Sequence, residues 1–444
     1  MGGNRSNTPP RQGSQQLPQR TSPDRRTVTH ATPAANQGSP PHGGAPPVKH
    51  SQGEPPRHSP PRGNPVPPPP PPPPGPPAPA HVAAKPALLR PKTPPENSIG
   101  IGIETEFYLE PRKSGETYKS LQLFASAMTE KYNKRIGTPE YPKMHSLVGD
   151  LYRGPHRMRH TEWALHHDPT CETQGAPWGI ELVSPILTAY KGGVWRKDVQ
   201  KMWQFLVGEF RVSADESCST HVHLSLASGF ALSQLKRLAQ AVIYFECAIE
   251  ALMPVDRRGN EYARSNWIDN KHLAYKNLTR DQSMLAIEAC KSQRDVINLM
   301  NPDQSKYFGF NFLALEKYKT VEFRRGAAST TVNHVFKWVE FAMTFLQASI
   351  QASDMGTFKK FQPTVSGLKQ FFSSAELVND AGMNQAKYTE RQGHSENEKV
   401  EPTPVKLESL SKEKRAKLNK KIEADKHSKP MLDKISDATQ KGLI

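Results

Sequence analysis

Apolar and polar residues alternate with a period of two in several segments, which predicts β-strands. In residues 99–109 the apolar side chains fall on odd positions, so one face of this strand is predicted to be buried. Similar patterns mark four further strand candidates, at residues 179–187, 221–226, 308–315 and 319–324.

Other segments carry apolar residues at helical spacing. The pattern predicts amphipathic helices within residues 199–210, 235–252 and 335–350. Strands and helices follow one another without a regular βαβ alternation. The predicted fold class is therefore α+β, with a mainly antiparallel sheet.

Charge and proline content divide the chain into three regions. Residues 1–97 contain 29 of the 42 prolines and 11 basic against 3 acidic residues, so a disordered, basic segment is predicted. Residues 98–386 are nearly balanced, with 34 basic and 30 acidic residues, and form the predicted catalytic domain. This balance excludes the uniformly basic surface of a specific nucleic-acid-binding fold. Residues 387–444 form a charged tail, predicted to be disordered or a marginal, solvated helix, with a partner-binding helix as the alternative.

The N-terminal region carries two short signals that could direct binding. The proline run at residues 67–74 predicts a polyproline II rod, which serves either as a spacer or as a docking site for an SH3- or WW-type domain. The first six residues fit the N-myristoylation pattern at Gly2, although such short patterns also arise by chance.

We expect a cytoplasmic protein in a reducing compartment. The chain has no apolar run long enough to span a membrane and no apolar N-terminal signal. Its four cysteines are widely separated and do not form a disulfide framework.

The strand at residues 99–109 carries Glu104 and Glu106 on the face opposite its apolar side chains. Residues i and i+2 of a strand lie about 6.5 Å apart, close enough to hold one ion or two neighbouring ions. Taken alone, such a pair is typical of the solvated side of a sheet.

A second strand places His221 and His223 on one face, alternating with Val222 and Leu224. Two imidazoles on one face can bind a metal, and the alternative is a pair of histidines hydrogen-bonded within a polar face. Cys218 nearby suggests zinc, but a closed zinc site usually needs four Cys or His ligands.

Two more strands add charged residues: Glu181 on one, Glu322 and Arg324 on the other. Each alone is typical of a solvent-facing residue or a surface ion pair. If all four strands belong to one sheet, their polar faces form a mixed-charge cleft that divalent cations would stabilise. Carboxylate-bound Mg²⁺ or Mn²⁺ holding nucleotide phosphates fits this pattern, whereas no P-loop motif is present.

Four motifs in this order resemble the amidoligase family of the glutamine synthetase and glutamate–cysteine ligase superfamily. They are Ile103-Glu-Thr-Glu-Phe107, Gly179-Ile-Glu-Leu-Val-Ser-Pro185, Cys218-Ser-Thr-His-Val-His223 and Thr320-Val-Glu-Phe-Arg324. The resemblance covers residues 99–350. It implies a glutamine-synthetase-like catalytic domain, with helices on one face of the sheet and the active site on the other. It also implies an ATP- and Mg²⁺- or Mn²⁺-dependent ligase that forms an amide from a carboxylate and an amine through an acyl phosphate.

The same resemblance assigns roles to individual residues. Arg324 would contact phosphate or a substrate carboxylate, His223 the substrate, and Asp168 the acceptor amine. Arg258 and Arg264 are candidates for phosphate binding, because they lie between the histidine and E-x-R motifs. One departure from the family pattern is Thr220, where relatives often have glycine. The implied metal ligands are Glu104, Glu106, Glu181, His221 and Glu322.

Three functional hypotheses follow. The first is the ligase, acting on small-molecule or peptide carboxylates and amines of unspecified identity. The second is a catalytically inactive nucleotide-binding or scaffold protein that acts through its proline-rich and basic tails. The third is a metal hydrolase that uses the same glutamate and histidine face. Related ligases build active sites at the edges between subunits, so the resemblance also leaves an oligomeric assembly as an open alternative.

Overall fold

The computed structural model describes residues 93, 95–149, 160–376, 407–423 and 425. The predicted proline rod and the Gly2 acylation site lie outside the described residues. Within these ranges nine strands form one open sheet. They are β1 (Ile99–Pro111), β2 (Met144–Ser146), β3 (Trp163–His166), β4 (Trp178–Val183), β5 (Leu187–Ala189), β6 (Phe210–Ser213), β7 (Ser219–Leu226), β8 (Phe310–Asn311) and β9 (Val321–Ala327).

The sheet confirms the predicted antiparallel architecture. Its order is β2-β3-β4-β1-β7-β9-β8, and β5 and β6 pair with the two ends of β1. Every pairing is antiparallel except that of β2 with β3. The long strand β1 therefore lies in the middle of the sheet, and its apolar side chains Ile99, Ile101, Ile103, Phe107 and Leu109 are all buried.

Helices pack against this apolar face of the sheet, and three of them confirm the helical segments predicted from sequence: α2, α3 and α7. Helix α7 contacts β7 and β1, and it also packs on α3. The helices are α1 (Leu121–Arg135), α2 (Trp195–Glu209), α3 (Leu232–Leu252), α4 (Arg280–Glu288), α5 (Gln293–Met300), α6 (Ala314–Tyr318), α7 (Val332–Gln351), α8 (Met355–Phe358) and α9 (Val365–Ser373).

Side-chain caps set where several helices begin. The Ser120 hydroxyl accepts a hydrogen bond from the Leu123 backbone N–H (3.2 Å) at the start of α1. At α4, Thr279 and Gln282 form a reciprocal capping box. Such caps satisfy N–H groups that have no partner within the helix.

The strand predicted for residues 308–315 is wrong beyond Asn311. Two side-chain amides take the backbone N–H groups that a longer strand would use: Asn301 accepts from Phe312 (2.7 Å) and Asn311 accepts from Leu313 (3.0 Å). With these donors occupied locally, β8 ends and the chain enters α6.

A buried ion-pair network joins the sheet to the helix layer. Arg325 of β9 donates to Glu246 (2.7 Å) and also pairs with Glu250, both on α3. All three residues are buried. Because a buried charge is costly without a partner, this network fixes α3 against β9.

The charged tail differs from the solvated helix predicted for it. Residues 412–423 form a helix, here called the C-terminal helix, which packs on the core. Leu410 and Leu418 are buried in a cluster with Tyr307, and Ile422 packs against this cluster. The sparse apolar residues of the tail thus face one patch of the core.

All four cysteines are free thiols. Nowhere in the described ranges does a helix combine the length and apolar character that crossing a membrane requires.

Candidate active site

The strand register brings the predicted metal ligands together on the sheet face opposite the apolar core. Residues on facing positions of neighbouring strands have side chains close to one another. The facing pairs are Glu106 with Glu181, Glu104 with His221, and His223 with Glu322. All of the carboxylates and imidazoles that the sequence assigned to this face therefore meet, and Asp168 joins them from the loop after β3.

Three groups of side chains have ligand atoms that all lie within 4.8 Å of one another. They share members, so they form one continuous cluster. The groups are Glu104 with Glu181 and His221, Glu104 with His223 and Glu322, and Glu106 with Asp168 and Glu181.

The chemistry of these donors fits divalent cations. The group of Glu106, Asp168 and Glu181 offers only carboxylate oxygens, the ligands that Mg²⁺ and Mn²⁺ prefer. The other two groups combine carboxylates with an imidazole nitrogen. No cysteine belongs to any such group in the part of the chain that the structure describes, so the zinc interpretation gains no support.

Glu104 lies between the two histidines of β7. Its Oε2 is 3.1 Å from His221 Nδ1, and its Oε1 is 3.1 Å from His223 Nε2. Burial alone would raise the pKa of Glu104, but His223 and His221 hold it well below its usual range. Burial likewise opposes a charged His223, yet Glu322 and Glu104 raise its pKa. Glu104 is therefore ionised and oriented by its neighbours.

Glu106 is placed differently. Ser219 donates to its Oε2 at 2.7 Å and is also 2.8 Å from His221 Nε2. Burial, reinforced by Asp168, raises the pKa of Glu106 to about 8. Burial and the charge of Glu104 also raise the pKa of Glu181 well above its usual value. With a pKa of about 8, Glu106 would retain its proton near neutral pH unless a cation neutralised it.

Glu322 and Arg324 form a buried ion pair on β9. Asn311 donates to the other oxygen of Glu322 at 2.7 Å, and Arg324 Nε donates to the Tyr262 carbonyl at 3.3 Å. Burial would raise the pKa of Glu322, but Arg324 and His223 lower it. The carboxylate is thus held charged, and its guanidinium partner lines the pocket described below.

The loop that carries Asp168 is anchored at Gly179, the glycine of the second motif. A Cβ at Gly179 would lie 1.5 Å from the carbonyl oxygen of Cys171, so only glycine allows this loop to pack on β4. Within the loop, the N–H and hydroxyl of Thr170 both donate to Asp168 Oδ1 at 2.6 Å. The glycine therefore places Asp168 beside Glu181.

These side chains line a pocket of about 270 Å³. A second pocket of about 230 Å³ adjoins it, and both are bordered by Glu104, Val183 and Tyr318. Half of the residues that line the second pocket are glycine, aliphatic or aromatic, among them Ile186 and Tyr318, and most of its exposed wall is apolar. One side of the cluster is thus strongly charged, whereas the other is mainly apolar.

Arg257 and His166 are among the pocket residues that the sequence did not assign. Arg257 is buried, and its Nε has no hydrogen-bond partner among the described residues. His166 faces Glu181 across β3 and β4, and its Nε2 is likewise buried without a partner within the described ranges. Two adjacent arginines, at positions 257 and 258, are a sequence signal for an anion-binding site. Their spacing does not show which of the two side chains points into the pocket.

Arg258 and Arg264, the predicted phosphate ligands, lie elsewhere. Both line a separate cavity that also contains Arg325 and Asp269. Arg258 donates to the carbonyls of Met253 (3.0 Å) and Ala251 (3.1 Å) at the end of α3. Arg264 donates to the Tyr307 carbonyl at 3.1 Å and lies over the Phe308 ring. Their guanidinium groups thus bind backbone and aromatic groups away from the carboxylate cluster, which corrects their predicted placement.

Comparison with known proteins agrees with the order of the motifs. The family model described as "Putative amidoligase enzyme" matches residues 98–346, which is more than half of the chain. A search of curated proteins finds no match. The matched range includes the whole carboxylate and histidine cluster but ends before the C-terminal helix.

Proposed function

Because the chain belongs to the amidoligase family, we propose that it is an ATP- and Mg²⁺-dependent ligase that joins a carboxylate to an amine. The observation that carries this proposal is the convergence of six carboxylate and imidazole side chains on one sheet face beside buried arginines. We also propose a glutamine-synthetase-like arrangement. An antiparallel sheet with helices on the face opposite this cluster supports it.

The donor sets suit two neighbouring cation positions. Glu106, Asp168 and Glu181 would hold one Mg²⁺ or Mn²⁺. Glu104 would hold a second, either with His223 and Glu322 or with His221 and Glu181. When bound, such ions neutralise phosphate oxygens and orient them for transfer. The raised pKa values of Glu106 and Glu181 support this assignment, because a cation would relieve the repulsion between them.

The proposed reaction has two steps. A substrate carboxylate oxygen attacks the terminal phosphorus of ATP, and ADP leaves. The amine nitrogen then attacks the acyl-phosphate carbonyl, the C–O bond to phosphate breaks, and the amine loses a proton. Arg324, Arg257 and Asp168 all line the charged pocket. The two arginines would neutralise phosphate oxygens, and Asp168 would accept a hydrogen bond from the amine. His223 would contact the substrate.

The adjoining apolar pocket supports a place for the nucleotide base. Ile186 and Tyr318 are among its exposed apolar side chains, and Glu104 borders both this pocket and the charged one. A nucleotide with its base here would direct its phosphates towards the carboxylate cluster. We therefore assign the two pockets to the two ends of the nucleotide.

Phosphate release from ATP, measured with panels of carboxylates and amines, tests the proposal. Glu104→Gln and Glu322→Gln should each reduce turnover by at least about 100-fold, because each removes a charged ligand from the cluster. Glu110→Gln is a matched control on the same strand, since Glu110 forms an exposed pair with Arg211 and does not line the charged pocket. Unchanged turnover in both cluster variants would refute the metal assignment.

The same assay separates the alternatives. Nucleotide binding without turnover, together with partner binding that is lost when residues 1–97 are deleted, would favour the scaffold hypothesis. Cleavage of a substrate without ATP consumption would favour the hydrolase. The ligase hypothesis instead expects a chain lacking residues 1–97 to keep its turnover.

A further inference from the structure

Two lysines from distant parts of the chain, Lys306 and Lys421, line the charged pocket together with the carboxylate cluster. Lys306 precedes Tyr307 in the core. Lys421 belongs to the C-terminal helix, which lies outside the range matched by the family model. The helix therefore contributes directly to the wall of the pocket.

The contacts of the C-terminal helix with the core are specific. Leu418 is 1% exposed and packs in one cluster with Leu410 and Tyr307. Lys417 pairs with Glu261 at 2.6 Å, and the Leu410 N–H donates to Asp269 at 3.1 Å. Apolar burial together with these polar contacts holds the C-terminal helix, and with it Lys421, at the pocket.

The two lysines have few competing partners. The Lys306 side chain has no hydrogen bond or ion pair among the described residues. Its ammonium lies 5.4 Å from the centre of the Tyr307 ring, and its charge opposes the burial that raises the pKa of Glu181. Lys421 pairs only with Asp425, one helical turn away, at 3.2 Å within the described residues. Such half-exposed pairs within a helix are weak, so this contact leaves Lys421 able to bind a ligand.

The number of cationic side chains that line the charged pocket indicates which kind of ligand they bind. Arg257, Arg324, Lys306 and Lys421 all line it. One carboxylate is satisfied by a single guanidinium, whereas a polyphosphate carries several negative charges and is bound by several cationic side chains.

We propose that Lys306 and Lys421 form a phosphate-binding subsite, and that the C-terminal helix is therefore part of the active site of this chain. The inference rests on the proposed function for its nucleotide, but the subsite itself is defined by the pocket and its cations. A charged group supplied by the tail would make polyphosphate binding depend on the docking of the C-terminal helix.

Binding to the full-length chain tests this subsite. Isothermal titration in the presence of Mg²⁺ would use two probes, the ATP analogue AMP-PNP and pyrophosphate, which has no base or ribose. Lys421→Glu and Lys306→Glu should each weaken both probes by about tenfold or more, the usual worth of a charge-assisted hydrogen bond. Lys420→Glu is the matched control, because Lys420 is the exposed neighbour of Lys421 on the same helix and does not line the pocket.

A second variant tests the role of the helix itself. Leu418→Asp should detach the C-terminal helix and weaken both probes as much as Lys421→Glu, while the main unfolding transition of the core stays in place. Affinities of Lys421→Glu within twofold of Lys420→Glu would overturn the proposal, as would loss of AMP-PNP binding with pyrophosphate binding unchanged. If the wild type bound neither probe, the proposal would also fail. If the variants weaken probe binding as expected but the wild type forms no amide, the proposed function is refuted, whereas the phosphate-binding subsite is supported.

Discussion

Glu181 lies directly opposite Glu106 across β4 and β1. Facing positions on antiparallel strands place side chains close together, and two like charges there repel each other. The sheet therefore holds two carboxyl groups where only one could easily be ionised without a cation. This pairing has a measurable consequence for the response of the protein to metal and pH.

We predict that Mg²⁺ or Mn²⁺ stabilises the protein more at pH 8 than at pH 6. The pKa of Glu106 is raised from 4.5 to about 8 in the folded protein, so the metal-free fold loses stability as pH rises through this window. A bound cation replaces the proton, and its contribution therefore grows across the same window. The melting temperature with and without metal, at both pH values, provides the measurement.

Glu106→Gln is the control for this prediction, because it cannot release a proton. It should remove most of the difference between pH 6 and pH 8. An equal metal-induced shift of the wild type at the two pH values would contradict the assignment of Glu106 as a ligand.

Arg257→Ala should impair catalysis, whereas Arg258→Ala should impair only stability. Arg257 lines the charged pocket, and its Nε has no hydrogen-bond partner within the described residues. Arg258 instead caps carbonyls at the end of α3. We expect turnover to fall by about 100-fold in the first variant, as on loss of one charge-stabilising donor. Phosphate release and melting temperature measured on both variants would separate the two roles, and equal turnover would show that the pocket does not bind phosphate through Arg257.

Gly179→Ala should destabilise the fold and weaken metal binding together. The new Cβ would collide with the Cys171 carbonyl and displace the loop that carries Asp168. We expect a loss of about 1–3 kcal/mol in the free energy of unfolding, as for other overpacked positions. Gly208→Ala is the control, because Gly208 lies in α2 with no atom near its added Cβ and should gain about 0.5–1 kcal/mol. Urea denaturation with Mn²⁺ titration tests both, and normal Mn²⁺ affinity in Gly179→Ala would argue against Asp168 as a ligand.

Arg325→Met should cost about 3–5 kcal/mol in the free energy of unfolding, because it leaves Glu246 and Glu250 buried without their partner. Lys359→Met is the comparison. It breaks an exposed pair with Asp281 and should cost less than about 1 kcal/mol. Chemical denaturation of both variants gives the values, and similar losses would mean that the Arg325 network contributes little to docking α3 on β9.

The faces of the strands could be predicted from sequence because a period of two assigns every side chain to one side. Glu104 and Glu106 were placed opposite Ile103 and Phe107 by spacing alone, and the structure agrees. Which strand lies next to which depends on long-range pairing, however. The contact of Glu104 with His221 could be anticipated only through the family resemblance.

Loops and local hydrogen bonds were the parts that sequence could not predict. Neither the direction of Arg257 nor that of Arg258 follows from a period, because both lie at the end of a short 3₁₀ turn. The early end of β8 depends on Asn301, a side chain ten residues from Asn311 that competes for backbone donors. Docking of the tail depends on Leu410 and Leu418 finding Tyr307, which is a tertiary contact.

The central position of β1 has a consequence for the order in which the molecule opens. β1 is hydrogen-bonded to β4, β5, β6 and β7, so exposing the amides around Glu104 and Glu106 requires the sheet to separate at its middle. The C-terminal helix is held by the small apolar group of Tyr307, Leu410 and Leu418, so we expect it to detach before the sheet separates. In hydrogen–deuterium exchange the amides of β1 should therefore be among the slowest to exchange and those of residues 412–423 among the fastest. The carboxylate and histidine cluster would then remain assembled each time the C-terminal helix, which carries Lys421, detaches from the core. Its detachment would open a route for ligands to enter and leave the charged pocket.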